Sequence, residues 1–316
     1  YSIGLPLVPL GVGDVVDRSA WVPHVTLIGN FLLPEGAADT AIAVLRRFAA
    51  EVPAISIRVE GEARFGPDGS VLVDLVEAPL LRDLHGRLLS ALEAAIDGLE
   101  MLLPTHTREG YHPHRTVTAG ARPARGDVLT ATDVILSEVE PDGWPGSAVV
   151  LAAWQLGTGA PDAVVGADLV DRVLGALAGV PTVIVGGWGV DAIVGEQTRP
   201  HHDLDLLVED ALASDAVARL EDLGFAVRFV WIENAWTGRA GRLVPSAFVA
   251  IDAAGHEVDV HTVPPERIPA LRTTGVIGGA AVACAGVRAQ LDMHTGYELP
   301  ERQRGDVELL RRLLRA

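Results

Sequence analysis

The sequence predicts a two-domain α+β protein, and three observations predict it. The chain has 316 residues, about twice a common domain length of ~150. The stretch Gly157-Thr158-Gly159-Ala160-Pro161 breaks the composition, which divides the chain into domains at 1–157 and 158–316. In both halves, short apolar or alternating runs of strand length are interleaved with longer stretches of helical period. In the first half, Tyr1-Ser2-Ile3-Gly4-Leu5-Pro6-Leu7 reads as an opening strand, and Val22 to Phe31 as a second. A helix is expected over Asp39–Val52, strands over Ile55–Val59 and Val71–Leu75, and a helix over Pro79–Leu99. Strands at Arg115–Ala119, Val134–Val139 and Val149–Leu156 complete that half. The second half opens with a helix over Asp168–Leu177. The apolar run Val180 to Val185 then reads as a short buried strand, Val183–Val185 at its core, stopped by two glycines. A helix should begin near Trp188, followed by a strand at Leu204–Val208 and a helix at Ala211–Leu223. Strands at Ala226–Ile232, Ala247–Asp252 and Glu257–His261 follow, then helices at Val287–Gly296 and Glu301–Leu314.

Composition removes several function classes. The net charge is −17, shared evenly: 20 acids against 11 arginines in 1–157, and 22 against 14 in 158–316. Even acidity disfavours non-specific nucleic-acid binding and anionic membranes, which need a basic surface. It is compatible with a cationic small-molecule acceptor. All 25 basic residues are arginine, so a lysyl-nucleotide ligase, a lysine-dependent P-loop and Schiff-base chemistry are excluded. Cys284 is the single cysteine, which forbids an internal disulfide and a cysteine-based zinc site and suits a reducing cytoplasm. The apolar start lacks a basic segment and is too short for a span, so no signal segment is expected.

The most informative segment is Gly186-Gly187-Trp188-Gly189-Val190-Asp191, followed by Arg199-Pro200-His201-His202-Asp203-Leu204-Asp205. Gly186 and Gly187 would let backbone approach a phosphate at the positive end of the following helix. Asp203 and Asp205 share one strand face, with Leu204 and Leu206 on the other. Two carboxylates aimed at a phosphate site are the usual means of holding Mg²⁺. Phosphoryl chemistry of this kind needs a third acid, to bridge metals or to take the proton of the attacking hydroxyl. In His256-Glu257-Val258-Asp259-Val260-His261 that acid is Asp259, central in its strand, with Glu257 as the alternative. Without lysine, triphosphate contacts fall to metal, backbone and arginine. Arg199 is a candidate, with a structural role in the loop before Asp203 as its alternative, and Arg288 is the C-terminal arginine to test. Trp188, Trp231 and Trp236 are candidates for an acceptor pocket or for packing, Trp188 rather as an anchor of the loop.

The first half carries a different chemistry. His24-Val25-Thr26-Leu27 and His114-Arg115-Thr116-Val117 are one tetrad written twice, each following a proline, Pro23 and Pro113. In a strand, His and Thr of each tetrad point to one face. Two imidazoles on one cavity can divide a phosphodiester cleavage, one as base and one as acid, without metal. The Thr26 and Thr116 hydroxyls would then donate to the non-bridging oxygens. His106 and His112 read as loop residues beside the site.

These motifs resemble two known families. Residues 180–208 resemble the polymerase-β-like nucleotidyltransferases, in the branch that adenylylates aminoglycoside and lincosamide antibiotics. The resemblance rests on Gly186-Gly187-Trp188, Asp191, Arg199, His201, Asp203 and Asp205. It continues through Val258-Asp259-Val260-His261, through Gln290-Leu291-Asp292-Met293-His294-Thr295-Gly296-Tyr297 and to the Asp306 helix. It implies a mixed sheet with flanking helices, and Mg²⁺-dependent transfer of a nucleoside monophosphate from a nucleoside triphosphate, ATP first among them, to a small-molecule hydroxyl. An antibiotic-resistance role follows from that resemblance. The paired tetrads resemble the two-histidine, 2′,5′-RNA-ligase-like phosphoesterases, which implies a two-lobed fold and hydrolysis of 2′,3′-cyclic or 2′,5′-linked phosphodiesters. The sequence therefore reads as a bifunctional enzyme. Two alternatives remain: an RNA-end or signalling-nucleotide processing enzyme whose domains share one oligonucleotide, and a chain in which one domain only binds.

Overall fold

A computed structural model describes residues 1–17, 20–77, 79–117, 122–140, 146–157, 163–230, 237–239, 242–295, 299 and 301–315. The chain is mixed α+β and divides into two compact units. One comprises Tyr1–Gly159 with the short segments Arg228–Ile232 and Ala240–Leu243, and the other comprises Ala160–Val227, Glu233–Arg239 and Val244–Ala316. Among the described residues no helix is long and apolar enough to cross a membrane.

The first unit is built on antiparallel strands. Ser147–Gln155 pairs with Asp133–Val139, which pairs with Ser2–Pro6, which pairs in turn with His24–Ile28. His114–Thr116 lies between His24–Ile28 and Val71–Glu77, and Ile55–Phe65 and Val128–Ala131 extend the sheet beyond. The two tetrad strands are thus immediate neighbours. Helices Ala38–Glu51 and Pro79–Ala95 bury one face each, through Ile42, Leu45 and Phe48 and through Leu81, Leu84 and Leu88. Burying such side chains stabilises by roughly 1.5–3 kcal/mol apiece and fixes the helices over the sheet.

Three boundaries differ from the sequence reading for identifiable reasons. The second helix stops at Ala95, not Leu99, because Gly98 turns with φ +82 although apolar residues continue. The strand from Ile55 runs to Phe65; Glu60, Glu62 and Arg64 continue it with their side chains in water. The second tetrad strand is His114–Thr116, shorter than Arg115–Ala119, whose last two residues lie outside the described residues.

In the second unit Asp203–Glu209 is central. It pairs antiparallel with Thr182–Ile184 and parallel with Glu257–Val263, which pairs antiparallel with Ala247–Ile251. A hairpin absent from the sequence reading, Arg272–Ile277 with Ala280–Ala285, joins the other edge, Ala280–Ala285 lying parallel to Thr182–Ile184. Gly278 and Gly279, at φ +58 and +84, make its two-residue turn, the geometry that glycine pairs supply. Helix Gly186–Val194 starts as the strand Thr182–Ile184 ends, two residues earlier than Trp188. Its Trp188 is 1% exposed and is therefore core packing.

Candidate active sites

Both candidate sites arise from strand register. In the second unit, Asp203 lies beside Glu257 and Asp205 beside Asp259 on parallel neighbours. Paired positions in adjacent strands share a face, so four carboxylates project together while Leu204, Leu206, Val258 and Val260 are buried behind them. Asp203, Asp205 and Glu257 are half-buried, and Asp259 is buried. The start of the helix is tied to this row. The Val185 N–H donates to the Asp205 carbonyl at 2.9 Å. Gly186 takes φ +58, and a Cβ there would overlap Asp205 Oδ2. Asp205 is therefore the acid tied to the helix start, and Asp259 is its register partner.

On their Cβ side the two glycines make room for the protein's own side chains. The sequence expectation for Gly186 and Gly187 is a close approach of backbone to phosphate. Asp205 occupies the space beside Gly186, and His201 Nδ1 and Arg199 Nη2 occupy the space beside Gly187. The protein's own polar side chains converge on the first helical turn, so any Cβ there would collide with them.

Arg199 is also anchored from within. Its Nη2 and Nε donate to the Asp306 carboxylate at 2.8 and 3.4 Å, a contact of the structural kind that the sequence offers as the alternative role for this residue. Arg288, in the first turn of Val287–Met293, is exposed. His201 is fully buried, its Nε2 2.5 Å from Asp191 Oδ2. The other Asp191 oxygen accepts from the Thr198 backbone and hydroxyl. Asp191, Thr198 and His201 thus fix the turn that delivers Asp203. Trp231 and Trp236 lie outside the described residues.

Among the described residues no three His, Cys, Asp or Glu side chains are gathered into a formed metal cluster. The donor set itself, Asp203, Asp205 and Asp259, is all oxygen. Together with the space Gly186 leaves for Asp205, it fits a hard divalent cation such as Mg²⁺.

In the first unit, Val25 pairs with Arg115 in antiparallel register. His24 is therefore opposite Thr116, and Thr26 opposite His114, all four on the face away from the buried Val25 and Arg115. Each histidine is held the same way. His24 Nδ1–H donates to the Val22 carbonyl at 2.8 Å, and His114 Nδ1–H to the His112 carbonyl at 2.7 Å. That bond to a carbonyl assigns the tautomer and leaves Nε2 as the nitrogen that exchanges protons. Burial lowers the pKa of His24 most; the Val22 bond opposes it, and the nearby His114 and Arg115 lower it further. Burial likewise lowers His114, against its His112 bond, and His106 and His112 add to the lowering. The two extra histidines thus act electrostatically on His114.

A cavity of about 180 Å³ opens on this face, lined by His24, Thr26 and Thr116 together with Trp21, Asn30 and Ser137. The Trp21 ring is 4.9 Å from that of His24. His114 is outside the lining, its ring 4.8 Å from Phe65 at 73°. On the opposite face, buried Arg115 is ion-paired with buried Asp74, its cross-strand neighbour. Trp21, three residues before His24, was visible in sequence as an aromatic beside the motif. Asn30 and Ser137 carried no signal of their own.

Comparisons with known proteins divide the chain in the same way. Residues 14–157 match the family model described as the 2′-5′ RNA ligase superfamily, and residues 170–310 match the model described as aminoglycoside-2″-adenylyltransferase. Each match covers a little under half of the chain. A lincosamide resistance protein of Staphylococcus haemolyticus is 24% identical over 142 residues, spanning 40% of this chain and 81% of that protein. Among solved structures, a lincomycin-bound lincosamide adenylyltransferase, LnuA, is 20% identical over 47% of this chain and 98% of its own, with a TM-score of 0.40. The E. coli LigT protein complexed with phosphate is 16% identical over 42% of this chain and 75% of its own, with a TM-score of 0.26. The two halves therefore resemble two different families, the first the 2′-5′ RNA ligase superfamily and the second the aminoglycoside adenylyltransferases.

Proposed function

We propose that the chain is a bifunctional enzyme with a phosphodiesterase domain at 1–157 and a nucleotidyltransferase domain at 158–316. The second domain moves a nucleoside monophosphate from a nucleoside triphosphate, ATP in the first instance, to a hydroxyl of an aminoglycoside- or lincosamide-like acceptor. The observation that carries this reading is the parallel register of Asp205 with Asp259 beside Gly186. Asp203, Asp205 and Asp259 would hold Mg²⁺, which would neutralise phosphate charge when bound. Asp259, the buried member, would also take the proton of the acceptor hydroxyl. Asp191 and His201 hold the preceding turn, and the Arg199–Asp306 pair ties it to the last helix.

The first domain opens a 2′,3′-cyclic or 2′,5′-linked phosphodiester without metal. The crossed pairing of His24 with Thr116 and Thr26 with His114 supports it. The more deeply buried His24 is the neutral base, taking a proton from water or a 2′-hydroxyl at Nε2. His114, nearer solvent, protonates the leaving oxygen. Thr26 and Thr116 donate to the non-bridging oxygens as charge accumulates.

One experiment tests both activities. The full chain is incubated with Mg²⁺, each α-labelled nucleoside triphosphate and a panel of aminoglycosides and lincosamides. In parallel it is given 2′,3′-cyclic mononucleotides and 2′,5′-linked dinucleotides in EDTA. Label is expected on an antibiotic in the first arm and monoester product in the second. Failure of an arm removes the corresponding activity.

A further inference from the structure

One buried histidine takes no part in the chemistry above. His85, on helix Pro79–Ala95, is 1% exposed. Its Nδ1–H donates to the carbonyl of Leu27 at 2.8 Å, and its Nε2 accepts the backbone N–H of Arg108 at 2.9 Å. Leu27 follows Thr26 in the first tetrad. Arg108 opens the turn that runs through Tyr111 to the second. The Tyr111 ring stacks flat on His85, 4.1 Å away at 7°, and its hydroxyl donates to the Thr26 carbonyl at 2.8 Å. These contacts close a circuit from the first tetrad through the helix to the segment before His114.

The circuit has little slack. Arg108 takes φ +52, an uncommon conformation for a residue with a side chain, and its N–H is the one His85 accepts. A Cβ on Gly110 would collide with the Thr105 carbonyl, so the turn is closely packed at that residue. The bridge also requires a neutral imidazole, because one nitrogen must donate while the other accepts. Burial keeps His85 in that form; the Leu27 bond opposes the effect and the Arg108 guanidinium adds to it. Arg108 is itself paired with Glu93 of the same helix, and Arg82 acts on the Tyr111 hydroxyl.

We propose that His85, with Tyr111, is a positioning element that sets the spacing between the His24 and His114 tetrads. This rests on the phosphodiesterase reading of those tetrads. Acid and base must straddle one phosphorus, and a shift of about 1 Å in such a pair is worth on the order of 10²-fold in rate.

The test uses the full chain. His85→Phe preserves the stack on Tyr111 but can neither donate nor accept. His85→Asn retains a donor near the Leu27 carbonyl, and His85→Gln an acceptor near the Arg108 N–H. His85→Phe should lower kcat on a 2′,3′-cyclic mononucleotide by about tenfold or more with little change in KM. The Asn and Gln variants should each recover part of that loss, with nucleotidyl transfer unchanged throughout. The ring resonances of His24 and His114 in the NMR spectrum should move in His85→Phe. Wild-type kcat in folded His85→Phe, or unmoved ring resonances, overturns the proposal. If the wild type opens no phosphodiester, the activity reading falls and the ring resonances still decide the positioning. If His85→Phe does not fold, Tyr111→Phe decides instead: unchanged kcat and resonances there also overturn it.

Discussion

Gly186→Ala should disable nucleotidyl transfer more than it unfolds the protein. Two effects act at this position. Gly186 sits at φ +58, where a residue with a Cβ costs about 1–2 kcal/mol. In a domain of this size that lowers Tm by roughly 2–8 °C. The new methyl would also overlap Asp205 Oδ2, so the carboxylate must leave its present position. A displacement of about 1 Å at a reacting group is worth on the order of 10²-fold in rate. A control separates strain from displacement. Gly195, the cap of the same helix, has φ +86 with nothing within 4 Å of its Cβ position. Gly195→Ala should match the loss of Tm and leave transfer intact. The assay is pyrophosphate release with ATP, Mg²⁺ and the acceptor found above, beside a thermal melt. Wild-type transfer by a folded Gly186→Ala protein, or equal losses of activity in both variants, would refute the reasoning.

Asp205→Asn should abolish transfer without loss of folding, and Asp259→Asn should do the same while Glu257→Gln does much less; a more damaging Glu257→Gln exchanges the two roles. Arg199→Gln should lower Tm, since Asp306 would keep a nearly buried charge without its partner, a change worth about 1–3 kcal/mol. Its KM for ATP should be unchanged; a KM raised tenfold at normal Tm would restore Arg199 to the triphosphate. Phosphodiester cleavage should persist in EDTA and fall steeply in His24→Ala and in His114→Ala, the double mutant losing little more than either. Because burial lowers both pKa values, the bell-shaped pH profile should peak below the histidine reference of about 6.5. The same shifts predict that the folded state binds fewer protons than the unfolded one in that window. Stability is then fully present above about pH 6.5 and is lost as pH falls through the folded values. A melt showing greater stability at pH 5 than at pH 7 would contradict this for the isolated effect of the two histidines, measured as the difference from a His24→Gln, His114→Gln protein.

Local periodicity was legible in the sequence; partnership between distant segments was not. The period-two rule put Asp203 with Asp205 and each His with its Thr, and the strands bear these faces out. Asp205 and Asp259 lie 54 positions apart in sequence, so their meeting waited for the fold. The Arg199–Asp306 pair is 107 residues apart in sequence, and nothing near Arg199 announces it. The hairpin about Gly278-Gly279 is absent from the sequence reading because its strands are half exposed and lack a strong apolar run. His85 carries no signal in the sequence, where it is one polar residue within a helical stretch. Its two partners are backbone atoms, which leave no trace in side-chain patterns.

The crossed register of the tetrads has a consequence for direction. A two-fold axis through the Val25–Arg115 pair exchanges His24 with His114 and Thr26 with Thr116. A phosphate seated on that axis meets the same groups from either side, so hydrolysis and its reversal need no separate machinery. What distinguishes the sides is their flanks: a cavity with Trp21 and Asn30 beside His24, and the edge of Phe65 beside His114. These unequal flanks break the symmetry in the sense proposed above, with the more deeply buried His24 toward the nucleophile and His114, nearer solvent, toward the leaving group.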